Sequence, residues 1–282
     1  MKRTCFYHAG CPDGFGAAWA VWRAWGSDGR YVPRGHEDGF DPQAHAGETL
    51  VFVDIAPPPD AVPELSELAG QLVVLDHHVS AQERYATSGG LDFAHARRGH
   101  VIRFDLSHSG AVLAWMHFHR DEAPPLLRYV EDQDLWSWAL PDSEAVNAAI
   151  GSYPRDFETW DALASRPVAG LAAEGLPILR SNRQEVERSL QAAAPVAIGT
   201  RRAEAVNARY QRAQIGHALA ERAAFGLPWG VVYRITADRV DVSLYSIGDL
   251  DVAAIAMRYG GGGHRNAAGF NVTLQRWLDE FV

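Results

Sequence analysis

Lysine is nearly missing from this 282-residue chain: Lys2 is the only one, and every other basic residue is arginine. With 26 basic against 35 acidic residues the formal net charge is −9. That balance excludes the broad basic surface that grips long duplex nucleic acid, because such binding rests on neutralising many phosphates. It leaves room for a small phosphorylated substrate, which needs only a few arginines or a metal. Cysteine is almost as scarce. Cys5 and Cys11 stand too close in an extended segment to make a useful staple, so a reducing cytoplasm is the expected compartment. No apolar run approaches the ~20 residues a membrane-spanning helix needs. The opening residues Met1 to His8 run straight into a strand-like stretch with a polar end, a pattern unlike a signal peptide. Gly-Lys-Ser/Thr of the Walker type is absent, which excludes a P-loop NTPase. There is no internal repeat and no low-complexity segment.

What is present is a set of buried strands that end in ligand-type residues. The apolar run Leu72 to Leu75 stops abruptly in Asp76-His77-His78. Leu50-Val51-Phe52-Val53 stops in Asp54 and is followed by three prolines. A first strand over residues 4–9 carries His8, and after it come Asp13 and the small residues Gly14, Gly16, Ala17 and Ala18, which allow a helix to start tight against a strand. Continuous apolar runs of this kind read as strands of a parallel sheet. A strand near 30–34 and a short helix over 60–70 complete the order strand, helix, strand, strand, helix, strand, which implies an α/β fold. Ligands of such sheets collect at the carboxyl ends of the strands. A lone aspartate after a strand is usually a turn or cap residue. Carboxylates or imidazoles ending three separate strands are a different matter, and mixed Asp/His sets suit divalent cations.

Farther on, residues 107–119 and 125–131 read as helices, the second running into Glu131-Asp132-Gln133-Asp134. Helices fill 143–165, and a longer amphipathic helix covers 170–194. From Pro195 strands and helices alternate up to Gly260-Gly261-Gly262-Gly263-His264-Arg265. Consecutive glycines let backbone N–H groups approach an anion, and the basic pair adds charge. The following Asn266-Ala-Ala-Gly-Phe suggests a rigid cradle. The remaining histidines, His36, His45, His95, His100, His108, His117, His119 and His217, read mostly as surface or core residues. The expected organisation is a parallel-sheet domain over 1–185, a helical connector over 186–198 and a smaller α/β domain over 199–282.

Taken together these residues resemble the DHH phosphoesterases that carry a C-terminal DHHA1 domain. Asp76-His77-His78 matches the motif that names the family, Asp54 its second motif and Asp132 its fourth, while Gly261-Gly262-Gly263-His264 with Ala267-Ala268-Gly269 looks like the DHHA1 signature. The resemblance covers nearly the whole chain. It implies a cytoplasmic, metal-dependent phosphoesterase using Mn²⁺, Mg²⁺ or another divalent ion, one or two per chain. Its substrate would be a short oligonucleotide or small nucleotide, and a homodimer is compatible with it. It implies His8, Asp13, Asp54, His77 and Asp132 as metal ligands, with Asp54 bridging. His78 would act near the leaving group, Asp76 would orient the histidines, and Gly261, Gly262, Gly263, His264 and Arg265 would hold a substrate phosphate. Two positions depart from the family pattern. Cys11 stands where many relatives have an aspartate, and Tyr245 stands where they often have arginine. The first leaves open whether the site of His8 uses Cys11 or water. The alternative to an enzyme is a nucleotide- or nucleic-acid-binding protein with a degenerate metal site.

Overall fold

The computed structural model describes residues 2–35, 38–89 and 99–282; His36 and His95 lie outside them. The chain divides into two compact units, Met1–Leu179 and Arg180–Val282.

The first unit is built on β1 (Arg3–His8), β2 (Gly29–Arg34), β3 (Thr49–Val53), β4 (Gln71–Asp76) and β5 (Val101–Phe104). They form one sheet in the order β2-β1-β3-β4-β5, every pair parallel. Alternation along the apolar runs explains why both faces are covered. Cys5, Val51, Val53, Val73 and Leu75 pack on one side with residues of α1 (Pro12–Trp25), α4 (Gly110–Phe118) and α5 (Pro125–Asp134). Phe6, Leu50, Phe52, Leu72 and Val74 pack on the other with α2 (Val62–Leu68) and Tyr85 of α3 (Val79–Ser88). Burial on both faces is what an unbroken apolar strand requires. His100 is part of this scaffold: its ring accepts from the Leu72 N–H at 3.0 Å and donates to the Ser66 carbonyl at 3.0 Å. Helices Ser143–Ser152 and Phe157–Ala164 add to the first face, and the long helix Val168–Leu190 carries the chain into the second unit.

The second unit holds a six-stranded sheet of β6 (Ala194–Ile198), β7 (Arg201–Asn207), β8 (Trp229–Thr236), β9 (Arg239–Ser246), β10 (Gly262–His264) and β11 (Ala267–Thr273). Its order is β10-β11-β9-β8-β7-β6, antiparallel except for β7 with β8. Because β6 pairs with β7, residues assigned to a connector belong to this sheet, and the unit begins inside the long helix at Arg180. Trp229, Val231, Val242, Leu244, Phe270 and Trp277 fill one face. Helix Arg212–Arg222 covers the other through Ile215 and Leu219. A Cβ on Gly216 would stand 1.9 Å from Cδ2 of Tyr245, so this helix lies on the sheet only because residue 216 has no side chain.

Gly216→Ala is expected to destabilise the second unit by about 1–3 kcal/mol through this clash, read as a lower melting temperature. An unchanged melting temperature would contradict the packing.

Candidate metal centre

The strand order places a topological switch between β1 and β3: the chain leaves β1 for β2 on one side and returns to β3 on the other. In open α/β sheets the crevice at such a point, beyond the strands' carboxyl ends, is where ligands bind. His8 ends β1, Asp54 follows β3, and Asp76, His77 and His78 end or follow β4. Asp13 sits in the first turn of α1, whose N-cap is Cys11, and Asp134 is the last residue of α5.

Local chemistry holds each group. A Cβ on Gly14 would stand 2.2 Å from the His8 carbonyl oxygen, so glycine is needed for α1 to start against β1. The Asp13 carboxylate accepts the N–H groups of Gly110 at 2.7 Å and Ala111 at 3.0 Å, which places it on the positive end of α4. Gly110 is again a point of close approach, since its Cβ would fall 2.4 Å from that of Asp54. Asp54 itself has φ 57°, a left-handed conformation that aspartate tolerates better than most residues. Its N–H still donates to the Leu75 carbonyl at 2.9 Å. Asp76 organises the next turn: its Oδ1 accepts the N–H of His77 at 2.7 Å and of His78 at 3.2 Å, and lies 2.7 Å from Nδ1 of His78.

The side chains converge on His77. Its Nε2 lies 3.0 Å from Asp54 Oδ1, 3.5 Å from Asp13 Oδ2 and 3.5 Å from Asp134 Oδ2. His77, Asp13 and Asp54 are all buried. On the other side of Asp54, its Oδ2 is 3.4 Å from His8 Nδ1 and 3.5 Å from Cys11 Sγ. His78 has a ring nitrogen within 4.8 Å of the donor atoms of both His8 and Asp54.

Asp132 is elsewhere engaged. Its two carboxylate oxygens accept the N–H groups of Ala139 at 2.8 Å and Leu140 at 3.2 Å, tying down the loop after α5. The loop is tight, with Trp136 and Trp138 both at positive φ. Residues two apart on a helix point in different directions, so one of Asp132 and Asp134 faces His77 and the other does not. The place beside His77 expected for Asp132 is thus taken by Asp134. Helix phase alone limits the choice to one of the two; only the loop's demand for an acceptor tells which.

In the second unit the glycines have a structural task. A Cβ on Gly261 would meet the Gly269 carbonyl oxygen at 2.0 Å, and Gly263 has φ 137° with a Cβ position 2.6 Å from the Ala267 oxygen. They make the β10–β11 hairpin, with Arg265 and Asn266 at its turn. Arg265 is exposed and donates to Asp249, at 2.9 Å to the carbonyl and 3.2 Å to the carboxylate. Tyr245, the second departure, has its ring packed beside Gly216.

Electrostatics in the first unit follow from four acidic groups and three imidazoles in little water. Burial, reinforced by Asp54 and Asp134, pushes the Asp13 carboxyl well above its ordinary range. Burial also raises the Cys11 thiol, and the charges of Asp54, Asp13 and Asp134 add to it. Burial alone would raise Asp54, but hydrogen bonds to His77 and His8 outweigh it and hold the group well below that range. For His77, burial works against the charged ring, yet Asp54, Asp134 and Asp13 reverse it and lift the group to about 10.

No family model matches the chain. Among curated proteins it is 24% identical over 285 residues to the uncharacterised protein R106 of Acanthamoeba polyphaga mimivirus, covering 93% of this chain. The chain spans 66% of that relative's length. Among solved structures it is similar to the pGpG-specific phosphodiesterase PggH of Vibrio cholerae, with TM-score 0.48 and 13% identity over 98% of this chain and 95% of that one. It is also similar to an exopolyphosphatase-related protein of Bacteroides fragilis, with TM-score 0.41 and 10% identity over 95% and 86% of the two chains.

Crowded carboxylates repel unless a cation joins them, so saturating Mn²⁺ is expected to raise the melting temperature by several degrees, as binding at ~100 times Kd stabilises by about 2.7 kcal/mol. Asp134→Asn is expected to lose that shift. Asp132→Asn is expected to keep the shift while melting lower at the start, and the reverse pattern would return the ligand role to Asp132. A second expectation concerns pH. The folded-state value of His77 stands above the unfolded 6.5, so its stabilising charge is fully present below pH 6.5 and is lost as pH rises through about 10. Chelator-treated protein should melt progressively lower across that window, and a flat profile would contradict the assigned contacts.

Proposed function

We propose that the chain is a divalent-metal-dependent phosphoesterase that hydrolyses phosphodiester or phosphomonoester bonds of short oligonucleotides or small nucleotides. The observation that carries this reading is the meeting of Asp13, Asp54, Asp134 and His77 at the switch point of a parallel sheet, with His8 and His78 beside them. Three carboxylates within 3.5 Å of one imidazole nitrogen make, with that nitrogen, a donor set for Mn²⁺ or Mg²⁺. Asp13, Asp54, His77 and Asp134 would hold one ion, and His8 with Asp54 a second. Such ions supply Lewis acidity toward a phosphoryl oxygen and lower the pKa of water.

The chain's own residues do the rest. His78 is turned by the Asp76 contact at Nδ1, 2.7 Å away, so its other nitrogen is the one to give a proton to the leaving oxygen. Asp76 is a positioning residue in this scheme. In the second unit Gly261, Gly262, Gly263, His264 and Arg265 would bind a substrate phosphate. The exposed Arg265–Asp249 pair costs little to exchange for such an anion.

The test is release of phosphate or nucleotide by the full chain with Mn²⁺ from pAp, di- to pentanucleotides, cyclic dinucleotides and an aryl phosphodiester. Turnover of at least one is expected. His78→Ala should lower it by about 10²–10⁴-fold, and Asp76→Asn by about 10–100-fold. Tight binding of one of these compounds without turnover of any would favour a binding protein, the reading that Cys11 in the site makes a real competitor.

A further inference from the structure

The donors on the β1 side of Asp54 form a closed triangle. Cys11 Sγ lies 3.4 Å from His8 Nδ1 and 3.5 Å from Asp54 Oδ2, and those two atoms are 3.4 Å apart. Three protein ligands with the fourth position left to water or substrate is the arrangement of catalytic zinc sites, and His78 stands beside it, with a ring nitrogen within 4.8 Å of the His8 and Asp54 donors. The thiol is held in place by the fold: Cys11 is the N-cap of α1, and its sulfur accepts the Gly14 N–H at 3.2 Å. It is also partly exposed, whereas Cys5 is fully buried.

Those lengths accommodate a zinc-class cation. A tetrahedral zinc, with Zn–S about 2.3 Å and Zn–N or Zn–O about 2.0–2.1 Å, sets neighbouring donors about 3.3–3.6 Å apart. An octahedral magnesium, with bonds about 2.0–2.1 Å, sets them about 2.9 Å apart. All three edges of the triangle fall in the tetrahedral range. The His77 contacts, at 3.0, 3.5 and 3.5 Å, are of similar length, so it is the sulfur that separates the two sides: thiolate prefers zinc-class ions, and carboxylate and water suit magnesium and manganese. The set around His77 contains no sulfur.

We propose that His8, Cys11 and Asp54 form a thiolate-containing tetrahedral site for a zinc-class cation. The two sides of Asp54 would then differ in metal preference, one soft and one hard, an inference that rests on reading this cluster as a metal centre. On binding, the Cys11 S–H bond breaks, the proton leaves to solvent, and the sulfur electron pair forms the bond to the cation. No oxidation state changes.

Cobalt(II) is the probe, because thiolate bound to tetrahedral cobalt gives a near-ultraviolet charge-transfer band and intense visible bands. The full chain titrated with Co²⁺ should show both. Cys5→Ala and Asp134→Asn should keep the charge-transfer band and Cys11→Ser should lose it. Cys11→Asp should still bind cations, with its Zn²⁺-over-Mn²⁺ preference at least tenfold lower than that of the unaltered chain. Iodoacetamide labelling of the unaltered native chain gives a readout that needs no variant. Zn²⁺ should slow labelling of Cys11 at least tenfold, and equal rates with and without Zn²⁺ would overturn the proposal. Cobalt bound without the charge-transfer band would overturn it too, while leaving the phosphoesterase reading to its own assay. The band without turnover of any substrate would keep the thiolate site and sink that reading. No cobalt bound at all would overturn both.

Discussion

The first unit depends on one contact set: a single nitrogen of His77 facing three carboxylates within 3.5 Å. Carboxylates this close, two of them buried, cannot all be charged without a partner. The fold answers from several directions. Asp13 is stabilised by the N-terminus of α4, Asp54 by imidazoles on either side, and His77 by the carboxylates themselves. Each answer requires a close approach that a larger residue would prevent, which is why glycines stand at 14 and 110. Backbone and site therefore constrain one another. The helices are where they are partly because aspartates hold their ends.

How much of this could be read from the chain follows from which signals are local. Strands β3 and β4 were legible because an unbroken apolar run that stops at a charged residue fits a buried strand and little else. Their ends, Asp54 and Asp76-His77-His78, were legible for the same reason. The choice between Asp132 and Asp134 was not, because both suit the chemistry and the decision lies with the backbone N–H groups of Ala139 and Leu140, several residues away. The place of Cys11 within 3.5 Å of His8 and Asp54 depends on pairing between β1 and β3, and no spacing rule carries that.

The second unit shows the opposite limit. A run of four glycines suggested an anion cradle, and the hairpin gives two of them, Gly261 and Gly263, a backbone reason of their own, since a Cβ at either would run into the facing strand. A residue type selected by backbone geometry leaves the same mark on a sequence as one selected by a ligand. Strand direction was hidden too. Alternating strands and helices left the direction of the second sheet open; all but one of its strand pairs are antiparallel, and short turns at β6–β7, β8–β9 and β10–β11 make hairpins.

Asp54 occupies a backbone conformation that asparagine adopts at least as readily. The two side chains have the same shape, so nothing in the fold resists the exchange; only charge does. Asp54, which faces His77 on one side and His8 on the other, is thus also a residue whose charge could be removed while the architecture stays intact. An architecture of this kind can pass from a charged centre to a neutral one through a change of charge and not of shape.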